Sequence, residues 1–181
     1  MKGTDRQLGS SLKPGADLIP YYQQTLWRLC NVLMSSFFSL AAYVQINDPD
    51  AEIWIVIYVI PAALIFLLSI NPDIAGHVIW RTLSGLHCAI CMIGAFYLLV
   101  SLLVFHKAKS ILHEEEGREL SGLVIIALWM ILCKDSGRDV VGGFRLVMAT
   151  SISVFPFLTW LYIYINMEIR TSWPQHCKTV I

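Results

Sequence analysis

Apolar residues run through this chain in long stretches, separated by short polar clusters, and nowhere does polarity alternate residue by residue. Five stretches approach the ~20 residues a helix needs to cross ~30 Å of hydrocarbon: Leu26–Ile46, Ile53–Ile70, Ile79–Phe105, Glu119–Cys133 and Phe144–Ile165. A transmembrane β-barrel would instead show alternating segments of ~10 residues. The pattern predicts an all-α, polytopic membrane helix bundle of about five transmembrane helices, forming one membrane domain over residues 25–170. Residues 1–24, MKGTDRQLGSSLKPGADLIPYYQQ, mix Gly, Pro, Ser and charge without apolar periodicity and predict a disordered tail. Residues 171–181 form a second, short tail. The first apolar run exceeds the ~7–15 residues of a cleavable signal's core and lacks a cleavage site, so it reads as an anchor.

Composition agrees. With 56% hydrophobic and 14% charged residues, and a mean hydropathy of +0.63, the chain is more apolar than the core of a soluble domain requires. Its net charge is zero, so what matters is how charge is distributed. With five spans, Lys2, Arg6, Lys13, Arg28, Arg81, Lys134, Arg138 and Arg145 share one side, while Lys107, Lys109, Arg118, Arg170 and Lys178 lie on the other. The basic excess predicts a cytoplasmic N-terminus and an exoplasmic or lumenal C-terminus. Acids gather opposite: Asp48, Asp50, Glu52, Glu114, Glu115, Glu116, Glu119 and Glu168.

Two acidic segments carry the candidate chemistry. In QINDPDAEIW, residues 45–54, Asp48 as N-cap, Pro49 at the first helical position and Asp50 behind it would open the second span well. Asn71, Pro72 and Asp73 repeat that punctuation before the third span. Capping leaves Gln45 and Asn47 unexplained, so a site remains the alternative. In HEEEGRELSG, residues 113–122, Glu115, Glu119 and Gly122 share a helical face, with Arg118 beside them. The apolar run from Leu120 to Cys133 is too short to cross unless the Arg118–Glu119 turn is drawn toward the hydrocarbon, where an ionisable group should face protein or water. The plain alternative is an exposed first turn whose acids favour the helix N-terminus.

These segments, with SWPQHCKTVI at the end, resemble the transmembrane protein 220 family over nearly the whole chain after the tail. The paired patterns fall on Gln45, Asn47, Asp48, Pro49 and Asp50, and on Glu116, Arg118, Glu119 and Gly122. The resemblance implies a small multi-pass membrane protein and no particular reaction.

The candidate polar pocket therefore comprises Gln45, Asn47, Asp48, Asp50, Glu115, Glu116, Arg118 and Glu119, with Arg118 expected to hold carboxylates on both segments. Asp48, Asp50, His113 and Glu119 are candidate metal ligands, although no compact spacing such as H-E-x-x-H occurs. His113 and His176 are the histidines expected on the acidic side. Cys88 and Cys91 form a CxxC with His87 one turn before Cys91, too few ligands for a metal centre; close helix packing at small Cys, Gly85 and Gly94 is the expected role. No disulfide framework is expected from five cysteines, most of them in spans.

Pro61 and Pro156 should kink the second and fifth spans, leaving carbonyls for neighbours to satisfy. Trp160, Tyr162, Tyr164 and Trp173 with Trp54 and Tyr58, and opposite them Trp27, Trp80 and Tyr22, are expected as interfacial belts. Three function classes follow: a non-enzymatic protein, such as a small carrier, whose acidic pocket takes a cation, proton or lipid headgroup; a lipid-processing enzyme; or a scaffold. The last is suggested by the ending Thr179–Val180–Ile181, of the form PDZ grooves accept, although that ending conflicts with an exoplasmic tail. The first is preferred, with the bilayer as surroundings, no nucleic-acid partner expected and no cofactor indicated.

Overall fold

The computed structural model describes residues 18–48, 50–105, 115–134 and 143–166. The regular structure of these residues is helical: α1 (Leu18–Val44), α2 (Ala51–Ile70), α3 (Val78–Phe105), α4 (Glu115–Lys134) and α5 (Gly143–Ile165). Short 3-10 turns at Gln45–Asn47 and Pro72–Gly76 link α1 to α2 and α2 to α3. Each expected span is one helix. The first starts earlier than expected: residues 18–24, read from sequence as tail, are the opening turns of α1. Pro20 lies in the first turn, where its missing N–H has no partner to lose.

α4 begins at Glu115, ahead of the apolar run, as the shared helical face of Glu115, Glu119 and Gly122 requires, and its 20 residues make about 30 Å of helix. That only just matches the hydrocarbon thickness, so a crossing by α4 would need its acidic first turn as part of the length. By length and apolarity alone, three segments qualify as spans: Ala51–Ile70, Val78–Val104 and Gly143–Tyr162. α1 and α4 are long enough but more polar, carrying Arg28, Asn31, Ser35, Ser36 and Ser39 in the one and Glu115, Glu116, Arg118 and Glu119 in the other.

α1 packs most extensively on α2 and α3 on α4, with α5 against α1 and smaller contacts between α2 and α4. Trp27, Met34, Phe38, Ile65, Leu68, Ile126 and Trp129 make the core, whereas α3 turns Ile79, Ile93, Phe96 and Tyr97 outward. Lipid tails are as apolar as these side chains, so helix association rests on close packing and on hydrogen bonds between helices. Ser35 Oγ donates to the Ala62 carbonyl at 2.9 Å and Trp80 Nε1 to the Leu64 carbonyl at 3.2 Å, joining α1 and α3 to the middle of α2. Gly94 meets α4 closely, since a methyl there would lie 3.2 Å from Leu123 Cδ1; Gly85, expected to do the same, faces open space.

Pro61 removes the amide that the Ile57 carbonyl would accept from. The imidazole of His87, buried on α3, lies beside that carbonyl. The histidine is thus placed to serve the carbonyl that the proline leaves without its amide donor.

Two expectations about aromatics divide on burial. Tyr22, Trp160, Tyr162 and Tyr164 are exposed, as interfacial anchors must be, but Trp27, Trp54, Tyr58 and Trp80 are core residues. Their positions near span ends suggested a belt; their helical faces point inward to Phe38, Trp129 and α2 instead.

Candidate functional site

The acidic end is built where α1 gives way to α2 and where α4 begins. Gln45 and Asn47 belong to the 3-10 turn, and Asp48 closes it, its amide donating to the Gln45 carbonyl at 3.0 Å. The N-cap of α2 is Asp50, not Asp48 as expected, and no side-chain capping bond is made there. The Asp48 carbonyl receives the Ala51 amide at 3.2 Å, so the turn is closed by backbone. Asp50 spends its carboxylate differently: Oδ2 accepts the Trp54 Nε1 proton at 2.8 Å, one turn along α2. At the opposite turn Asn71 does cap through its side chain, Oδ1 accepting the Asp73 amide at 3.0 Å, although the element capped is the 3-10 turn and not α3.

From Asp50 a buried aromatic path leads to α4. The Trp54 ring lies 6.3 Å from the Tyr58 ring, centroid to centroid. The Tyr58 hydroxyl sits directly against Gly122, at a point where any side chain would overlap it. Glu119, one turn before Gly122, is half-buried and close enough for its charge to act on the Tyr58 phenol. The two acidic segments are thus linked through Trp54 and Tyr58, which sequence reading had assigned to the membrane interface. Arg118, expected to join them, is exposed, and among the described residues no ion pair to Asp48 or Asp50 is found. Glu115 and Glu116 open α4. His113, His176 and the C-terminal Thr179–Ile181 lie outside the described residues.

Among the described residues no group of three His, Cys, Asp or Glu side chains is placed to share a metal ion. His87 Nε2 and Cys91 Sγ are 3.5 Å apart, but Cys88 Sγ points to the Ala127 carbonyl at 3.9 Å, so the CxxC pair diverges. A groove of about 370 Å³ between α1 and α2, lined by Ser35, Ser39, Ala42 and Phe66 among others, lies away from the acids, and its serine hydroxyls donate to backbone carbonyls.

Sequence reading missed a second polar cluster at the opposite, basic end, where α1 starts, α4 ends and α5 starts. Fully buried Asn31 donates Nδ2 to the Trp27 carbonyl at 3.0 Å and accepts from Cys133 Sγ at 3.5 Å. Trp27 and Trp129 stack with centroids 6.1 Å apart and planes at 9°. Arg145 lies 5.1 Å over the Trp27 ring and donates to the Leu132 carbonyl in the last turn of α4. That carbonyl is one a helix end cannot satisfy itself, and a cation there also suits the helix dipole. The signal in the sequence was Asn31, a lone amide amid apolar residues.

Apolar helices of spanning length, with polar side chains gathered at the two ends of the bundle, define an integral, polytopic membrane protein. The chain belongs to the transmembrane 220 family: the model of that family, "Transmembrane family 220, helix", matches residues 37–135. Transmembrane protein 220 of Xenopus laevis is 63% identical over 159 residues, covering 88% of this chain and 86% of the relative. No solved structure matches.

Proposed function

We propose that this chain is a non-enzymatic membrane protein whose acidic end binds a cationic group, with Asp50 and Glu119 as the anionic partners and the ammonium of a lipid headgroup as the occupant. The observation that carries the reading is the Asp50–Trp54–Tyr58–Gly122 path, which ties an oriented carboxylate on α2 to the turn of α4 that bears half-buried Glu119. Carboxylates at headgroup depth meet zwitterionic lipid by lateral diffusion, and a monovalent ammonium needs no multidentate ligand set, unlike a metal ion.

Native mass spectrometry of the full-length protein, offered phosphatidylethanolamine and phosphatidylglycerol in equal amounts, tests this. Glu119→Gln and Asp50→Asn are each expected to lower the ethanolamine-to-glycerol retention ratio about 3- to 10-fold, the worth of one charge-assisted contact. An unchanged ratio in both variants overturns the reading. Displacement of the ethanolamine lipid by millimolar Ca²⁺ would assign the site to a free cation instead.

This end is placed on the exoplasmic or lumenal side, with a cytoplasmic N-terminus, on the basic-residue asymmetry. A glycosylation sequon introduced after Lys178 should then be modified in cells. Modification of one introduced near Lys13 would reverse the orientation.

A further inference from the structure

We propose that the groove between α1 and α2 holds one acyl chain of a phospholipid whose ammonium headgroup lies at Glu52. The groove, of about 370 Å³, has a floor of buried Ser35, Ala42 and Ala62 and a rim that includes exposed Ser39, Val59 and Phe66, so it is open at the outer surface of the bundle. Small side chains make the space: Ser35, Ser39 and Ala42 share one face of α1, and Ala62 and Ala63 line the opposite wall from α2. Both serine protons are spent on carbonyls, Ser35 Oγ donating to Ala62 at 2.9 Å and Ser39 Oγ to Ser35 at 2.8 Å. The groove therefore offers no hydroxyl proton and suits an apolar occupant.

Within a bilayer that occupant is a lipid tail or another helix, and size decides between them. From Ser35 to Ala42 is about 10 Å of helix, and the volume spread along that length gives a cross-section of roughly 35–40 Å². A helix with its side chains is about 10–12 Å across, roughly 80–110 Å², and does not fit; a methylene chain does. Depth agrees, since Ala42 lies two residues from the end of α1 and Ser35 nine, or about 13–14 Å. The groove thus runs from the boundary to near the middle of ~30 Å of hydrocarbon, the reach of one tail from one leaflet.

At the boundary the same stripe of α2 carries a charge. Glu52, exposed in the first turn, shares a helical face with Val59, Ala63 and Phe66, which follow it by 7, 11 and 14 residues. Its carboxylate stands about 10 Å further along that face than Val59, at the headgroup end of the groove, where an ammonium is the complementary group. This site is separate from Asp50, which turns to buried Trp54 on the other side of α2.

The test is photolabelling of the full-length protein in phosphatidylglycerol vesicles by phosphatidylethanolamine or phosphatidylglycerol bearing a mid-chain diazirine, with adducts mapped by mass spectrometry. Outward Ile93, Phe96 and Tyr97 of α3 report ordinary bilayer contact. Labelling of residues 59–66 by the ethanolamine lipid is expected to exceed theirs about 3-fold or more. Ala63→Leu and Ser39→Leu fill the groove from its two walls and should each bring labelling down to the level of α3. Glu52→Gln should lower it about 2- to 3-fold for the ethanolamine lipid, the worth of one exposed ion pair, and leave the glycerol lipid unmoved. None of these variants alters Asp50 or Glu119, so this result and the retention ratio of Asp50→Asn stand or fall separately. Equal labelling of α2 and α3 in the parent means bilayer contact only and overturns the proposal. So does labelling that both leucine variants retain, or that Glu52→Gln leaves unmoved. A disulfide-linked dimer of Ala63→Cys, absent in the parent, would put a second copy over the groove, with the same consequence.

Discussion

Gly122→Ala should destabilise the bundle by about 1–3 kcal/mol, the range for forcing an extra carbon into a close-packed site. The added methyl would overlap the Tyr58 hydroxyl and come within 3.1 Å of Cζ, and neither neighbour can yield easily. Tyr58 is a rigid ring, buried, and held between the Trp54 and Phe38 rings at 6.3 and 6.4 Å. Removing its hydroxyl relieves the worst contact but not the one at Cζ, so Tyr58→Phe should rescue Gly122→Ala in part. Gly85→Ala is the control, because a methyl there meets nothing within 4 Å and alanine is the better helix former. Equilibrium unfolding in mixed micelles measures all four proteins. Equal stability of Gly122→Ala and Gly85→Ala would show that α2 and α4 do not approach at this point, and would remove the contact linking the two acidic segments.

Helix identity was legible in the sequence because lipid imposes a simple requirement: a run of apolar residues long enough to cross. What surrounds each helix was not legible, because a residue near a span end can face lipid, the interface or a neighbour with the same composition around it. Trp54 and Trp160 illustrate this. Both sit near the acidic end, yet one is 7% exposed and the other 52%. Asp50 was similarly ambiguous, since an Asp at a helix start accepts from the first amides or from a side chain one turn on, and here it accepts from Trp54 Nε1. The acidic residues were found as residues; the aromatic path between them needed the relative placement of α2 and α4. Asn31 and Arg145 were missed for a related reason, lying 114 positions apart in sequence and brought together at Trp27 and the last turn of α4.

His87→Ala should cost about 1–2 kcal/mol in the parent protein, and far less when Pro61 is also replaced by alanine. Proline at position 61 leaves the Ile57 carbonyl without its amide donor, and the His87 ring lies beside it. With the ring gone, a carbonyl in the membrane interior has no solvent to turn to, so the penalty is that of a buried unsatisfied acceptor, somewhat reduced because chains unfolded in membranes also find partners. In Pro61→Ala the restored amide at position 61 bonds to the Ile57 carbonyl within α2, and His87 becomes dispensable for that purpose. The two substitutions should therefore be strongly non-additive, with a coupling energy of about 1 kcal/mol from a double-mutant cycle in unfolding free energy. A metal-ligand or catalytic role for His87 predicts no such dependence on a proline in another helix. Additivity within about 0.3 kcal/mol would separate the histidine from the proline and leave its 3.5 Å contact with Cys91 Sγ as its structural tie.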